Sequence, residues 1–178
     1  MKVINTKISG LKIIQQKKVG DSRGYLRETF RKKIIKWDDL IFDYATTSKK
    51  NVLRGFHFNT KFPQAKFVTV LKGKILDCVI DLRKKSNTFG RVFSIVLSEK
   101  NCKSLYIPEG FAHAYYSYEK TNLIYYRLSN YYQPKYENGI IWNDKNIKFK
   151  WPLKKPILAK RDLEWDIFLN LKKKYKGF

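Results

Sequence analysis

The middle of the chain is a procession of short apolar runs separated by turn residues. Residues 67–71 (FVTVL) lead into Lys72-Gly73, a turn signal, and residues 75–82 (ILDCVIDL) follow. Residues 92–97, 105–107 and 123–128 continue the series at similar intervals, each bounded by Gly, Pro, Asn or Ser. Branched and aromatic side chains pack well on a pleated surface, so each run predicts a strand. Regular short strands with turns between them predict an antiparallel sandwich or barrel, and a mainly β fold. Within residues 123–127 (LIYYR) the two-residue period sends Ile124 and Tyr126 to one face and Tyr125 to the other. Helical signals flank this stretch. Residues 29–40 predict a turn or two of helix near the N-terminal region, and residues 161–174 (RDLEWDIFLNLKKK) show mixed helical periodicity with a basic end suited to a helix C-terminus.

No internal repeat, low-complexity tract or Pro/Gly/Ser linker divides the 178 residues, which predicts a single domain over 1–178. Hydrophobic content of 43% excludes a disordered chain, and 16% aromatic residues favour a sheet-rich fold. The formal charge of +23 admits a nucleic-acid surface, an anionic membrane or an acidic ligand. Only eight of the 38 basic residues are Arg, however, and the Lys are scattered over the whole length. That is the pattern of a solvated surface with a general bias toward anions, so neither nucleic acid nor membrane is expected as a partner. Cys78 and Cys102 have no metal-type spacing, and reduced thiols are expected. No continuous apolar segment has signal-peptide or bilayer-spanning length, so the expected compartment is the cytoplasm.

Two histidines restrict the choice of a catalytic base. His57 lies in residues 53–58 (LRGFHF), between apolar neighbours and three residues after an Arg. His113 follows a Pro/Gly turn in residues 107–113 (IPEGFAH). Small β-barrels of the cupin kind commonly bind a metal through two or three His and a carboxylate, the first two His one residue apart. Here that second position is Asn59 and a third His is lacking, so no metal is expected.

Eight segments extend this reading: residues 21–28 (DSRGYLRE), 48–58 (SKKNVLRGFHF), 64–68 (QAKFV), 81–90 (DLRKKSNTFG), 105–114 (LYIPEGFAHA), 130–132 (NYY), 139–144 (GIIWND) and the late Arg161-Asp162. Taken in this order along nearly the whole chain, they resemble the dTDP-4-dehydrorhamnose 3,5-epimerase family, a branch of the cupin superfamily. The resemblance implies a cupin-type antiparallel β-barrel, or jelly roll. The substrate it implies is a nucleoside-diphosphate 4-keto-6-deoxyhexose, inverted at C3 and C5 as in the conversion of dTDP-4-dehydro-6-deoxyglucose to dTDP-4-dehydrorhamnose. No cofactor is implied, because the C4 ketone itself delocalises the carbanion as an enolate.

Such a reaction needs a base on one face, a donor for the developing oxyanion, an acid on the opposite face and a grip on the diphosphate. By position in the matching motifs, His57 is the implied base, with Asp162 fixing its tautomer. Lys66 supplies positive charge beside the enolate oxygen, and Tyr126 is the acid; without the resemblance Tyr126 reads as a core-facing aromatic. Arg23 and Arg54 suit phosphate oxygens, Tyr132 corresponds to the aromatic that stacks on the base, and Glu28, His113, Glu137 and Arg161 occupy other substrate-contacting positions. A homodimer is also implied, with Arg23 and Glu28 completing the neighbour's site. Two departures stand out. Phe42 and Tyr44 occupy positions where amides that hydrogen-bond thymidine are expected; aromatics stack but do not reproduce an amide pattern. Ala114 replaces a Gly, and its methyl is expected to tighten the pocket near His113. A C3-only epimerase and an epimerase of another nucleotide sugar fit the same residues, and a non-catalytic basic β-barrel binding nucleotides or acidic polymers is the alternative of another class.

Overall fold

The computed structural model of the chain describes residues 1–174. Its strands, in chain order, are β1 (Lys2–Asn5), β2 (Lys12–Gln15), β3 (Lys18–Asp21), β4 (Gly24–Arg27), β5 (Phe42–Lys49), β6 (Leu53–Asn59), β7 (Lys66–Lys72), β8 (Lys74–Asp81), β9 (Val92–Ser98), β10 (Lys103–Ile107), β11 (Phe111–Ser117), β12 (Thr121–Leu128) and β13 (Glu137–Gly139). Two short helices follow, α1 (Lys160–Leu163) and α2 (Phe168–Lys174). One sheet has the order β1-β2-β10-β7-β12-β5, the other β13-β6-β11-β8-β9, and β3 pairs with β4 as a separate hairpin. Neighbouring named strands pair antiparallel throughout. The result is the double-sheet jelly roll expected of a cupin.

Alternation along each strand gives each sheet an inward and an outward row. Inward residues Val68, Val70, Leu105, Ile107, Ile124 and Leu128 of the first sheet meet Ile75, Val79, Leu97, Phe111 and Tyr115 of the second. Burial in β12 follows the period read from the sequence: Ile124 and Tyr126 are buried, whereas Tyr125 is only partly so. The outward row of the second sheet, including Phe56, Phe58, Cys78, Ile80 and Ala112, is covered by the C-terminal segment through Ile140, Ile147 and Leu171. The outward row of the first sheet, Ile14, Phe67 and Tyr106, is covered by Ile35 and Leu40. Full burial of a ring such as Phe56 or Phe67 contributes about 1.5–3 kcal/mol.

The five strands expected from the sequence form as β7, β8, β9, β10 and β12. Residues 29–40 form no helix. They make turns, with the Ile34 and Ile35 amides both donating to the Arg31 carbonyl, because Ile35 and Leu40 are drawn onto the outward row of the first sheet. The contact with Tyr106, whose hydroxyl donates to Asp38, outweighs the weak helical propensity of a β-branched pair. Residues 161–174 form two helices instead of one, since the Asp144 carboxylate accepts the Phe168 amide and fixes a separate start for α2. Ala114 also departs from expectation: its methyl packs in the outward cluster beside Ala112, away from the cavity that His113 lines. No described helix is long and apolar enough to cross a membrane. Both cysteines are buried as free thiols.

Candidate active site

Arg54 and His57 are three residues apart on β6, a spacing that a regular strand would split between its two faces. The pairing of β6 with β11 contains a bulge at this point: His57 pairs with His113 and Arg54 with Tyr115, so β6 holds one residue more than its partner. The bulge turns Arg54 and His57 into the same cavity. It requires glycine at residue 55, whose φ is +111° and where a Cβ would lie 2.4 Å from the His113 carbonyl oxygen.

The cavity has a volume of about 330 Å³ and lies between the two sheets. On one wall, His57 Nε2 and Asp162 Oδ1 are 2.6 Å apart, with the carboxylate almost wholly buried. Asp162 comes from α1, and Trp165 carries it into place by donating to Oδ1 at 3.3 Å. Gly139, the cross-strand partner of His57, leaves room for this indole, since a Cβ there would meet the Trp165 ring at 2.6 Å. Burial alone would raise the Asp162 pKa. The hydrogen bond and charge of His57, the indole N–H and Arg161 outweigh burial and hold it below the usual carboxylate range. A carboxylate on Nε2 leaves Nδ1 as the nitrogen available to a ligand, and Nδ1 lies 3.7 Å from Glu137 Oε1. Glu137 is itself held by Arg161 Nη1 at 2.7 Å and the Tyr132 hydroxyl at 3.0 Å.

The opposite wall belongs to the first sheet. Tyr126 from β12 and Lys66 from β7 reach the cavity, with Phe42 and Tyr44 beside them on β5. Burial pushes the Tyr126 phenol well above 10, reinforced by Tyr115, Tyr44 and Asp77 and opposed by Arg54, so it keeps its proton at neutral pH. Burial lowers the Lys66 ammonium to about 8, against the opposing charges of Glu137 and Asp77. The rings of Tyr44 and Tyr126, cross-strand partners, stack at 4.9 Å, and Phe42 lies 5.8 Å from Tyr44 and 5.7 Å from Tyr131. His113 projects from the floor, with Nε2 2.8 Å from Asp77 Oδ2. At the rim, Arg54 donates to the Ser48 hydroxyl and the Thr47 carbonyl while its guanidinium lines the cavity.

Of the residues singled out from the sequence, His57, Lys66, Tyr126, Arg54, His113, Tyr132, Glu137 and Arg161 line one cavity, and Asp162 sits against His57. Arg23 and Glu28 do not line it. Arg23 is exposed on the β3–β4 hairpin and paired with Asp21, and Glu28 is paired with Arg31. Phe42 and Tyr44 face the cavity, as their positions in the motif imply. Asp77, Tyr115, Thr46 and Trp165 escaped the sequence reading. Asp77 carried a signal, being a carboxylate at an inward position between Ile75 and Val79.

A jelly-roll barrel with a histidine–carboxylate pair facing a buried phenol and a half-buried lysine is an enzyme site for moving protons, of the cupin class. The family profile described as dTDP-4-dehydrorhamnose 3,5-epimerase matches residues 5–170. An enzyme of that name from Methanothermobacter thermautotrophicus is 37% identical over 169 residues, covering 91% of each chain. The solved structure of a Legionella pneumophila 3,5-epimerase in complex with dTDP-4-keto-L-rhamnose is 35% identical, covers 96% of this chain and 93% of its own, and superposes with a TM-score of 0.90. ChmJ from Streptomyces bikiniensis, a 3'-monoepimerase solved with dTDP-quinovose, is 26% identical, covers 94% and 88%, and gives a TM-score of 0.88. The chain belongs to the dTDP-4-dehydrorhamnose 3,5-epimerase family.

Proposed function

We propose that this protein inverts C3 and C5 of a nucleoside-diphosphate 4-keto-6-deoxyhexose, converting dTDP-4-dehydro-6-deoxyglucose to dTDP-4-dehydrorhamnose in deoxysugar synthesis. The observation that carries the reading is the placement of His57 and Tyr126 on facing sheets across one cavity. Inversion requires a proton to leave one face of a carbon and return on the other. His57, with Nε2 bonded to Asp162, takes the proton at Nδ1, and the pair then stabilises the imidazolium. The electrons move into the C4 carbonyl, whose oxygen is met by the Lys66 ammonium and His113. Tyr126 returns a proton from the opposite side; its pKa, raised by burial, keeps it protonated, and an enolate carbon is basic enough to draw that proton.

Arg54 at the rim takes diphosphate oxygens, which a guanidinium fork matches, Tyr132 stacks on the base, and Glu137 and Arg161 make further substrate contacts. A homodimer supplies the rest of the site. Support for it lies in the hairpin that carries Arg23, where Val19, Tyr25 and Leu26 are 55%, 51% and 71% exposed, an apolar surface suited to a second copy. Light scattering tests this directly: a 21.2 kDa particle at micromolar concentration contradicts the dimer.

The test of the activity is incubation in heavy water with dTDP-4-keto-6-deoxyglucose, with NMR at C3 and C5. Deuterium at both carbons is expected. Deuterium at C3 alone gives the 3-epimerase reading instead, the activity of ChmJ. No exchange with this sugar or its UDP, GDP and CDP analogues sinks the proposal.

A further inference from the structure

We infer that Asp77 is a positioning residue of this site, fixing the orientation of His113 and supplying the counter-charge for His113 and Lys66 at the C4 oxygen. The inference rests on the epimerase reading. Asp77 sits on β8 in the inward row, between Ile75 and Val79, and is fully buried. An isolated carboxylate among aliphatic side chains is strongly disfavoured, so one kept there needs a partner and a reason. Its one hydrogen-bond partner among the described residues is His113 Nε2, at 2.8 Å to Oδ2, while Oδ1 is buried and makes no hydrogen bond. An aliphatic residue would satisfy the core at this position. The carboxylate therefore answers to His113.

Register explains the contact. His113 lies opposite Val79 on β8 and Tyr115 opposite Asp77, so His113 and Asp77 are diagonal neighbours on the inward face. With Nε2 held by Asp77, the nitrogen that His113 offers the cavity is Nδ1. A ring that donates to Asp77 through Nε2 and to a substrate oxygen through Nδ1 is an imidazolium, and Asp77 is the charge that touches it. The same carboxylate raises the proton affinity of Lys66. The other negative groups around these two cations are Glu137 and, against His57, Asp162; Arg54, His57 and Arg161 are the other basic groups, and Tyr44, Tyr115 and Tyr126 are the neighbouring phenols. Removing Asp77 thus takes away one of the two carboxylates that support the Lys66 charge, leaving Glu137.

The test is Asp77→Asn, measured by initial deuterium exchange across pH and by 15N NMR of the histidine rings. Expected are a loss in kcat of about thirtyfold or more, KM within about threefold, and a basic limb of the pH profile displaced to lower pH. The wild-type spectrum should show a proton on His113 Nε2 whose resonance moves upfield in the variant. Asp77→Glu, which keeps the charge but displaces it, should lose kcat while leaving the basic limb near its wild-type position, and it serves in place of the Asn variant if that one fails to fold. Wild-type exchange rates in Asp77→Asn, an unmoved basic limb, or an unprotonated His113 Nε2 in the wild type overturns the role of Asp77 alone. A folded wild type that exchanges no 4-keto sugar nucleotide overturns the epimerase reading, and this role with it.

Discussion

Lys66 connects the chemistry to stability in a way that one substitution exposes. Burial holds its ammonium at about 8 against an ordinary 10.5, so at pH 7 the folded chain carries a charge its surroundings disfavour. Each pH unit of such a gap corresponds to about 1.36 kcal/mol, which makes the cost up to about 3 kcal/mol. Lys66→Met removes the charge and keeps an unbranched side chain that fills the same space. The variant should therefore be more stable than the wild type at pH 7 by up to about 3 kcal/mol, or a rise in Tm of about 6–12 °C for a chain of this size. The pH dependence follows from the direction of the shift. Below about pH 8 the lysine is protonated in both folded and unfolded chains, and the full cost is present. Between about 8 and 10.5 the unfolded chain binds more protons than the folded one, so wild-type stability rises relative to the variant. Urea unfolding at pH 7 and pH 10 measures both values, and heavy-water exchange should fall about 10²–10³-fold in the same variant. A variant less stable than the wild type at pH 7, or a stability gap that widens toward pH 10, refutes the argument.

Four further outcomes are expected. His57→Ala should abolish exchange at both carbons while far-ultraviolet circular dichroism stays that of the wild type, because the ring lies at the cavity wall, outside the hydrophobic clusters of the core. Asp162→Asn should lower kcat by about 10³–10⁴-fold by presenting the wrong His57 tautomer, with little change in nucleotide binding by calorimetry. Phe42→Gln combined with Tyr44→Asn should raise the preference for dTDP over CDP ligands in competition binding, since amides restore a hydrogen-bonding edge that two aromatics lack and cytosine presents a different donor and acceptor pattern from thymine. Gly55→Ala should cost at least about 2 kcal/mol by denaturant unfolding, through a Cβ placed 2.4 Å from the His113 carbonyl in a left-handed backbone conformation.

The central strands were legible because their apolar alternation is local: residues 123–128 announce which face Tyr126 takes, and the structure places it there. Residues 29–40 misled because their fate is decided by a distant surface, the outward row at Phe67 and Tyr106, which no local pattern encodes. Ala114 misled for a related reason. Its neighbour His113 faces the cavity, so alternation sends the methyl to the other side of the sheet, a consequence that proximity in sequence hides. The motifs named the residues that gather at the cavity, but not how. The bulge that aligns Arg54 with His57, and the Gly139–Trp165 contact that delivers Asp162, depend on pairings between segments far apart in the chain. Asp77 went unread although alternation puts it on the face of Ile75 and Val79, because the histidine it answers to comes from β11, far away in the chain.

The claim that one proton leaves through His57 and another returns from Tyr126 is tested most directly by the stereochemistry of exchange in Tyr126→Phe. In heavy water, with dTDP-4-keto-6-deoxyglucose, His57 should still remove the proton, and with the phenol gone it returns a deuteron to the face it came from. Deuterium incorporation with retained configuration and little inverted product is expected. Inverted product formed at the wild-type rate, or exchange and inversion lost together, would contradict it.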